Sequence, residues 1–522
     1  MFHLVRRWLA VKRAFHSFFF LNFILLVALL LGGLILAACS DNATPTAANP
    51  ASSAAATAGP TKTPAATASP AASPATTVTP EPTTTPLPGM AGIPVISAEQ
   101  NTAKPFTQDW KASLADAAEP TIVGEIDGMV IVKSRQGGLY AFDLKTGTLA
   151  WKQVPNTAPS SVAGVIPTAA IAPGVAIVGD VAAEKVTAYD TKTGQKKWEH
   201  NLKFTAPNRD AGSRFLGNKV YGLTYVVAVS SKVDPNNPQA QTSNPEYVLL
   251  VGMDINTGKD VWNIMTDPAD PKVGSRIASV VYASKNVLVE NPDLSLSAFD
   301  GATGKSLWRG LNTFLLRTPN PDQLFSVVPE GGQKHLPRLR KLDINTGNLV
   351  WEKLLPTEVL NDPLIAISPD EHSAYVSVLV SAQETYVYRV DLDKNTSAWR
   401  FNTQTFGDYT LTATNDGVRL RSYGKQSGIV FLNRDVPDPV VWAVGGIETL
   451  DDVATADGLY LTARNNQEGL LYLVGLDKGD IKLATKTLLP GQEPVIGANQ
   501  VYIIGLDSNG KPALSAYARP QK

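Results

Sequence analysis

Residues 141–151, AFDLKTGTLAW, set the frame for the whole chain, because their spacing returns five more times. The residues concerned are Asp143, Gly147 and Trp151; Asp190, Gly194 and Trp198; Asp254, Gly258 and Trp262; Asp300, Gly304 and Trp308; and Asp343, Gly347 and Trp351. A sixth copy, RVDLDKNTSAW, keeps Asp391 and Trp399 but carries Asn395 where the others have glycine. A motif that recurs roughly every 45 residues marks a repeat architecture.

Each copy reads as strand, tight turn, strand. The turn needs one residue of positive φ, which Gly adopts freely and Asn tolerates next best. The Asp side chain can accept hydrogen bonds from backbone N–H groups across the turn. The Trp offers a large flat face to stack between neighbouring units. Two further β-like runs precede each motif. In the first unit TIVGEI and MVIVKS flank Asp127-Gly128, a strong hairpin signal that returns at Asp416-Gly417 and Asp457-Gly458. One unit is therefore four short antiparallel strands. The expected fold is all-β, a β-propeller of such four-stranded blades arranged radially.

The A-x-D-x-x-T-G-x-x-x-W pattern resembles the repeat of pyrroloquinoline-quinone (PQQ) propellers, over roughly residues 105–522. That family includes quinoprotein alcohol dehydrogenases. It also includes the cofactor-free propeller lipoprotein of the bacterial outer-membrane β-barrel assembly machinery. The resemblance implies the fold, and one fold hosts many functions.

Residues 1–38 read as an export signal. Arg6, Arg7, Lys12 and Arg13 precede an uncharged, mostly apolar run from Ser17 to Ala38, which ends in Leu36-Ala37-Ala38-Cys39. This looks like a lipobox, with Cys39, the only cysteine, as the lipidated residue. An uncleaved N-terminal membrane helix is the alternative. Either way the remainder is expected at the cell membrane, facing the extracytoplasmic side. Loss of residues 1–38 removes four basic residues and no acid, taking the formal charge from −1 to −5. Such a balance offers no electrostatic case for nucleic acid. Residues 39–95, rich in Ala, Thr, Pro and Ser, are expected to form a disordered tether. Residues 96–522 form the propeller domain.

Eight tryptophans follow the signal. Trp442 closes a degenerate unit, FLNRDVPDPVVW, and LYLVGLDKGDIKLA at 471–484 is a further unit without Trp. Trp110 has no strand before it, whereas the last strand, ALSAYA at 513–518, has none after it. Pairing the two completes a composite blade and closes the ring. The blade count is eight, or nine on this reckoning. The longest interval between motifs, Trp198 to Trp262, contains a polar loop at 230–247. That loop is either a partner contact or a tolerated insertion.

For chemistry, the resemblance implies that a quinoprotein would need a Ca²⁺ site of Glu, Asn and Asp, a catalytic Asp, in many members a vicinal disulfide, and a Trp at the pocket floor. One cysteine excludes the disulfide, and the tryptophans are taken by the repeat position. Asp391 to Asn395 superficially matches a calcium loop but coincides with the repeat turn. After the signal only His200, His335 and His372 remain, without metal-ligand spacing. There is no nucleophile elbow and no phosphate loop. The basic run His335, Arg338, Arg340 and Lys341 is expected on a solvated outer face. The expected protein is a non-enzymatic scaffold without catalytic, cofactor or metal residues, bound to the membrane and to an envelope protein. A PQQ–Ca²⁺ dehydrogenase and a ligand-binding sensor propeller are the alternatives.

Overall fold

The computed structural model describes residues 95–97 and 103–520, apart from 155–167, 181–184, 203–213, 232–246, 266–278, 292–294, 311–313, 317, 319, 329–333, 361–362, 382–383, 404–407, 424–427, 437–439, 446–447, 466–467 and 488–493. The chain divides into two units, 1–80 and 81–522, and the described residues all belong to the second. The export signal, Cys39 and most of the 230–247 loop lie outside the described residues.

Among the described residues nine antiparallel sheets of four strands follow one another along the chain, and the seventh carries a short parallel fifth strand, Val95–Ser97. The first is made of Thr121–Ile126, Met129–Lys133, Leu139–Asp143 and Leu149–Gln153, paired in chain order. Seven more sheets repeat this order at 168–201, 214–265, 279–310, 314–354, 364–402, 408–445 and 448–487. The ninth combines Val495–Ile496, Gln500–Leu506 and Pro512–Ala518 with Gln108–Ser113 from the other end of the domain. The count is nine rather than eight, and the degenerate units at 431–442 and 471–484 are both full blades. A two-stranded ladder, Lys334–His335 with Val359–Leu360, is added beside the fifth blade. Among the described residues there is no helix.

First strands of blades 1 and 2, 2 and 3, 3 and 4, and 6 and 7 touch one another, which puts the first strands around the axis and the fourth strands at the rim. Between blades lie apolar clusters, such as Val227, Tyr225 and Met253 of blade 3 against Ile177, Val186 and Trp198 of blade 2. Each pair of neighbouring blades buries one face of each sheet, as a radial stack requires.

The repeat spacing has a geometric cause. Asp143 Oδ1 accepts hydrogen bonds from Lys145 N, Thr146 N and Thr146 Oγ1 at 3.0, 2.9 and 2.8 Å. Those bonds hold the Asp143 carboxyl below its usual range, the Thr146 hydroxyl contributing most. The same contacts recur at Asp190, Asp254, Asp300 and Asp343. A bulge beyond the turn shifts the register by one, so that Trp151 faces Ala141, Trp198 faces Ala188 and Trp262 faces Gly252. A Cβ on Gly252 would lie 2.2 Å from the Trp262 ring. The small residue two before the Asp in these copies therefore gives the indole room to lie across its own sheet, whereas Lys341 and Arg389 face Trp351 and Trp399.

From there the indole reaches the next blade. Trp151 Nε1 donates to Thr191 O at 2.8 Å, Trp198 to Ile255 O at 2.8 Å and Trp262 to Ala302 O at 3.1 Å. Trp308, Trp399 and Trp442 do the same with Ile344 O, Arg434 O and Leu476 O. The ring lies on the next turn glycine. A Cβ on Gly194, Gly258, Gly304 or Gly347 would come within 2.4 to 2.6 Å of an indole carbon. Glycine is thus required twice at this position, for its positive φ and for its bare face.

Candidate functional site

Around the axis the first strands are poor in acids. The sequences TAAIA, RFLGNKVY, SVVY, FLL and LIAI of blades 2 to 6 contain none. The carboxylates present are Glu125 of blade 1, Asp408 of blade 7, and Glu448, Asp451 and Asp452 of blade 8. Glu125 Oε2 accepts from Ala498 N and Tyr502 Oη of blade 9 at 3.3 and 3.4 Å. Asp451 and Asp452 are taken up by arginines.

That second group is the main concentration of buried charge. Arg419 and Arg421 stand on the second strand of blade 7, Gly417–Tyr423, and both turn toward blade 8. Alternate residues Val418 and Leu420 turn to the apolar packing of blade 6 instead. Arg421 Nη1 donates to Asp451 Oδ1 and Asp452 Oδ1, each at 2.8 Å. Arg419 Nη2 lies 3.5 Å from Asp452 Oδ2. All four side chains are almost fully buried. Arg419 Nε and Nη1 are buried without a hydrogen-bond partner among the described residues. Burial draws the Arg419 guanidinium below its usual value, against the pull of Asp452. The bulge between Thr449 and Asp451 allows both adjacent aspartates to meet the arginines. Two charges of each sign cancel, so the seam holds blades together without leaving a net charge for a cation.

A second polar recess lies between blades 2 and 3. Tyr225 Oη is buried with the Thr168 hydroxyl and the Asn218 amide as its polar neighbours. Burial raises the Tyr225 hydroxyl far above its ordinary range.

The other residues singled out in the sequence are dispersed. His200 pairs with Asp260 at 3.2 Å, His372 with Asp393 at 2.7 Å, and His335 sits in the added ladder. Asp391 Oδ1 accepts from Asp393 N and Lys394 N at 3.1 and 3.0 Å, so the apparent calcium loop is a repeat turn. Arg338 and Arg340 both bind Glu352, and Lys341 binds Glu371. Among the described residues no three His, Cys, Asp or Glu side chains gather as a metal site. Sequence reasoning missed the Arg–Asp seam. Its signal was the polar alternation of Arg419 and Arg421 in a strand whose counterparts in other blades are apolar.

These elements define the class: the chain is a PQQ-repeat β-propeller of the type found in the assembly factor BamB and in quinoprotein dehydrogenases. The family model described as outer membrane protein assembly factor BamB matches residues 106–234 and 220–311. BamB of Burkholderia pseudomallei (strain K96243) is 26% identical over 212 residues, 39% of this chain and 47% of that protein. The quinohemoprotein alcohol dehydrogenase ADH-IIG of Pseudomonas putida is 25% identical over 266 residues, 46% of this chain and 33% of that enzyme. The chain thus spans less than half the length of either relative. Among solved structures, BamB from Moraxella catarrhalis aligns with TM-score 0.41 and 17% identity, over 80% of this chain and 98% of that one. Quinohemoprotein alcohol dehydrogenase from Comamonas testosteroni aligns with TM-score 0.45 and 11% identity, over 80% and 78%. The fold rests on the strand pairing described above, not on these superpositions.

Proposed function

We propose that the chain is a tethered extracytoplasmic scaffold that binds an envelope protein and carries no quinone. The observation that carries this reading is the fate of the inner acids. Glu125 is engaged by blade 9, and Asp451 and Asp452 are neutralised by Arg419 and Arg421. Carboxylates so engaged do not suit a Ca²⁺–quinone group, which needs unneutralised carboxylates beside the cofactor, and the only other first-strand acids among the described residues are Asp408 and Glu448. The indoles are likewise used as rim struts rather than as a channel floor. The likeness to BamB, an assembly factor by its description, supports the same reading.

The deciding experiment is titration of the protein with PQQ and Ca²⁺, followed by absorbance and native mass. No stoichiometric uptake is expected. Uptake would overturn the scaffold reading in favour of a quinoprotein dehydrogenase, the second reading that the similarity to ADH-IIG favours. Attachment through Cys39 is tested by metabolic labelling with a fatty acid, which Cys39→Ser should abolish. Crosslinking from the 230–247 loop in intact cells then tests for the partner.

A further inference from the structure

The chain wraps part of its own rim before it enters the ring. Val95–Ser97 pairs in parallel with the fourth strand of blade 7, in the register Val95↔Ala443, Ile96↔Val444 and Ser97↔Gly445. Lys104 bridges Leu483 on the fourth strand of blade 8, and its carbonyl accepts from Ala484 N at 3.0 Å. Phe106 is buried against Tyr460 and Tyr517, with ring centroids 6.3 and 6.1 Å away. Gln108–Ser113 then becomes the rim strand of blade 9.

The rim strands differ in how they protect their open edges. Charged residues, lysine above all, keep an exposed edge from pairing with another chain. The rim sequences LAWKQ, KKWEHN, DVWNIM, SLWRG, LVWEKL, TSAWRFN, IKLATKT and QDWKAS each carry at least one charge. Blade 7 has VVWAVG, which carries none. It is this unprotected edge that residues 95–97 cover.

The cover is weaker than its neighbours. It is three residues long and parallel, a pairing slightly less stable per residue than the antiparallel kind. The 108–113 strand is antiparallel, and its Trp110 is also bonded to blade 1. Phe106, between the two segments in sequence, packs on blades 8 and 9 beside the second.

We propose that the rim edge of blade 7, Val440–Gly445, is a strand-exchange site. Residues 95–97 of the same chain fill it at rest, and an extended segment of a partner protein fills it when they leave. The partner segment has the chemistry of the resident one: uncharged, rich in β-branched residues and bound chiefly through its backbone. The inference deepens the scaffold reading and rests on it for the existence of a partner. The edge and its cover stand on the strand pairing alone.

The test uses the full chain and a fluorescent synthetic peptide of residues 91–98, AGIPVISA. Hydrogen exchange is followed at 440–445 in the wild type and in Ile96→Pro, which removes an N–H and disfavours pairing. Ile96→Pro should expose the 440–445 amides and bind the peptide at least tenfold more tightly than the wild type, with protection restored. Adding Val441→Lys, a charge at this partly exposed edge position, should weaken that binding about tenfold. Equal protection in wild type and Ile96→Pro, or exposed amides that bind no peptide, would overturn the proposal. Protection that disappears on dilution of a dimer would also overturn it, because the cover would then come from a second copy. None of these readouts changes if the chain takes up PQQ or lacks an envelope partner, so the two readings fail separately.

Discussion

Trp110 donates its indole N–H to the carbonyl of Leu144 at 2.9 Å, and this bond joins the last blade to the first. It is the same contact that Trp151, Trp198, Trp262, Trp308, Trp399 and Trp442 make with the blades that follow them, made here between the two ends of the propeller. A Cβ on Gly147 would fall 2.4 Å from the Trp110 ring. The velcro strand therefore closes the ring by backbone pairing and by the repeat contact together.

Gly147→Ala should destabilise the ring by about 2–3 kcal/mol, combining left-handed strain with displacement of Trp110. Gly128 is the control, since it has φ +80 and nothing within 4 Å of an added Cβ. Gly128→Ala should cost only the backbone term, about 1–2 kcal/mol. Urea denaturation compares the two. Equal losses would mean that the Trp110 contact adds nothing.

Asn395→Gly should stabilise the blade 5–6 junction by roughly 1 kcal/mol. Asn395 holds φ 53 and brings a Cβ to the place where other turns offer a bare glycine. Trp351 stays partly exposed, and the Leu392 carbonyl accepts from Lys353 Nζ instead of an indole. With glycine, Trp351 has room to dock, which a shift in tryptophan emission would report. Loss of stability would instead show that the bond from Asn395 Nδ2 to Leu354 O, 3.1 Å, matters more.

Arg421→Ala should cost about 3–5 kcal/mol, because it leaves two carboxylates buried beside one poorly placed guanidinium. Arg419→Met should cost much less, or stabilise, since two of its N–H-bearing nitrogens already lack partners. Denaturation of both variants checks this ordering, and the reverse order would refute it.

Stability should rise between pH 8 and 10 relative to Lys133→Met. Burial lowers the Lys133 ammonium to about 8, whereas its unfolded value is near 10.5. In that window the unfolded chain holds the extra proton, so raising the pH favours the folded state, by at most about 1.4 kcal/mol per pH unit. Above pH 10 the difference levels off, and both proteins lose stability together, because buried tyrosines such as Tyr140, pushed up to about 12, lose protons first in the unfolded chain. Denaturation of both proteins across this range is the measurement, and parallel curves would remove Lys133 as the cause.

Much of the fold was legible because its information is local. Asp, Gly and Trp at fixed spacing describe a turn, a bulge and a strut within eleven residues, and hairpin signals supply the other two strands. Ring closure could be read from the unpaired strands at 108–113 and 513–518, since an open edge demands a partner. The small residue two before Asp143, Asp190, Asp254 and Asp300 was visible in the repeat, but its purpose was not, because only the bulged register sets it under the indole.

The chain by itself determined the blade, since in every blade but the composite ninth the four antiparallel strands come from one stretch of sequence. The tertiary structure alone decided how blades differ. Arg421 and Asp451 are thirty residues apart, and strand alternation shows only that Arg419 and Arg421 share a face. Which neighbour that face meets depends on the position of blade 7 in the ring and on a bulge in blade 8. The rim segment at 95–97 is equally silent in sequence. Three uncharged residues pair wherever an unprotected edge lies within reach, and the closed ring brings blade 7 there.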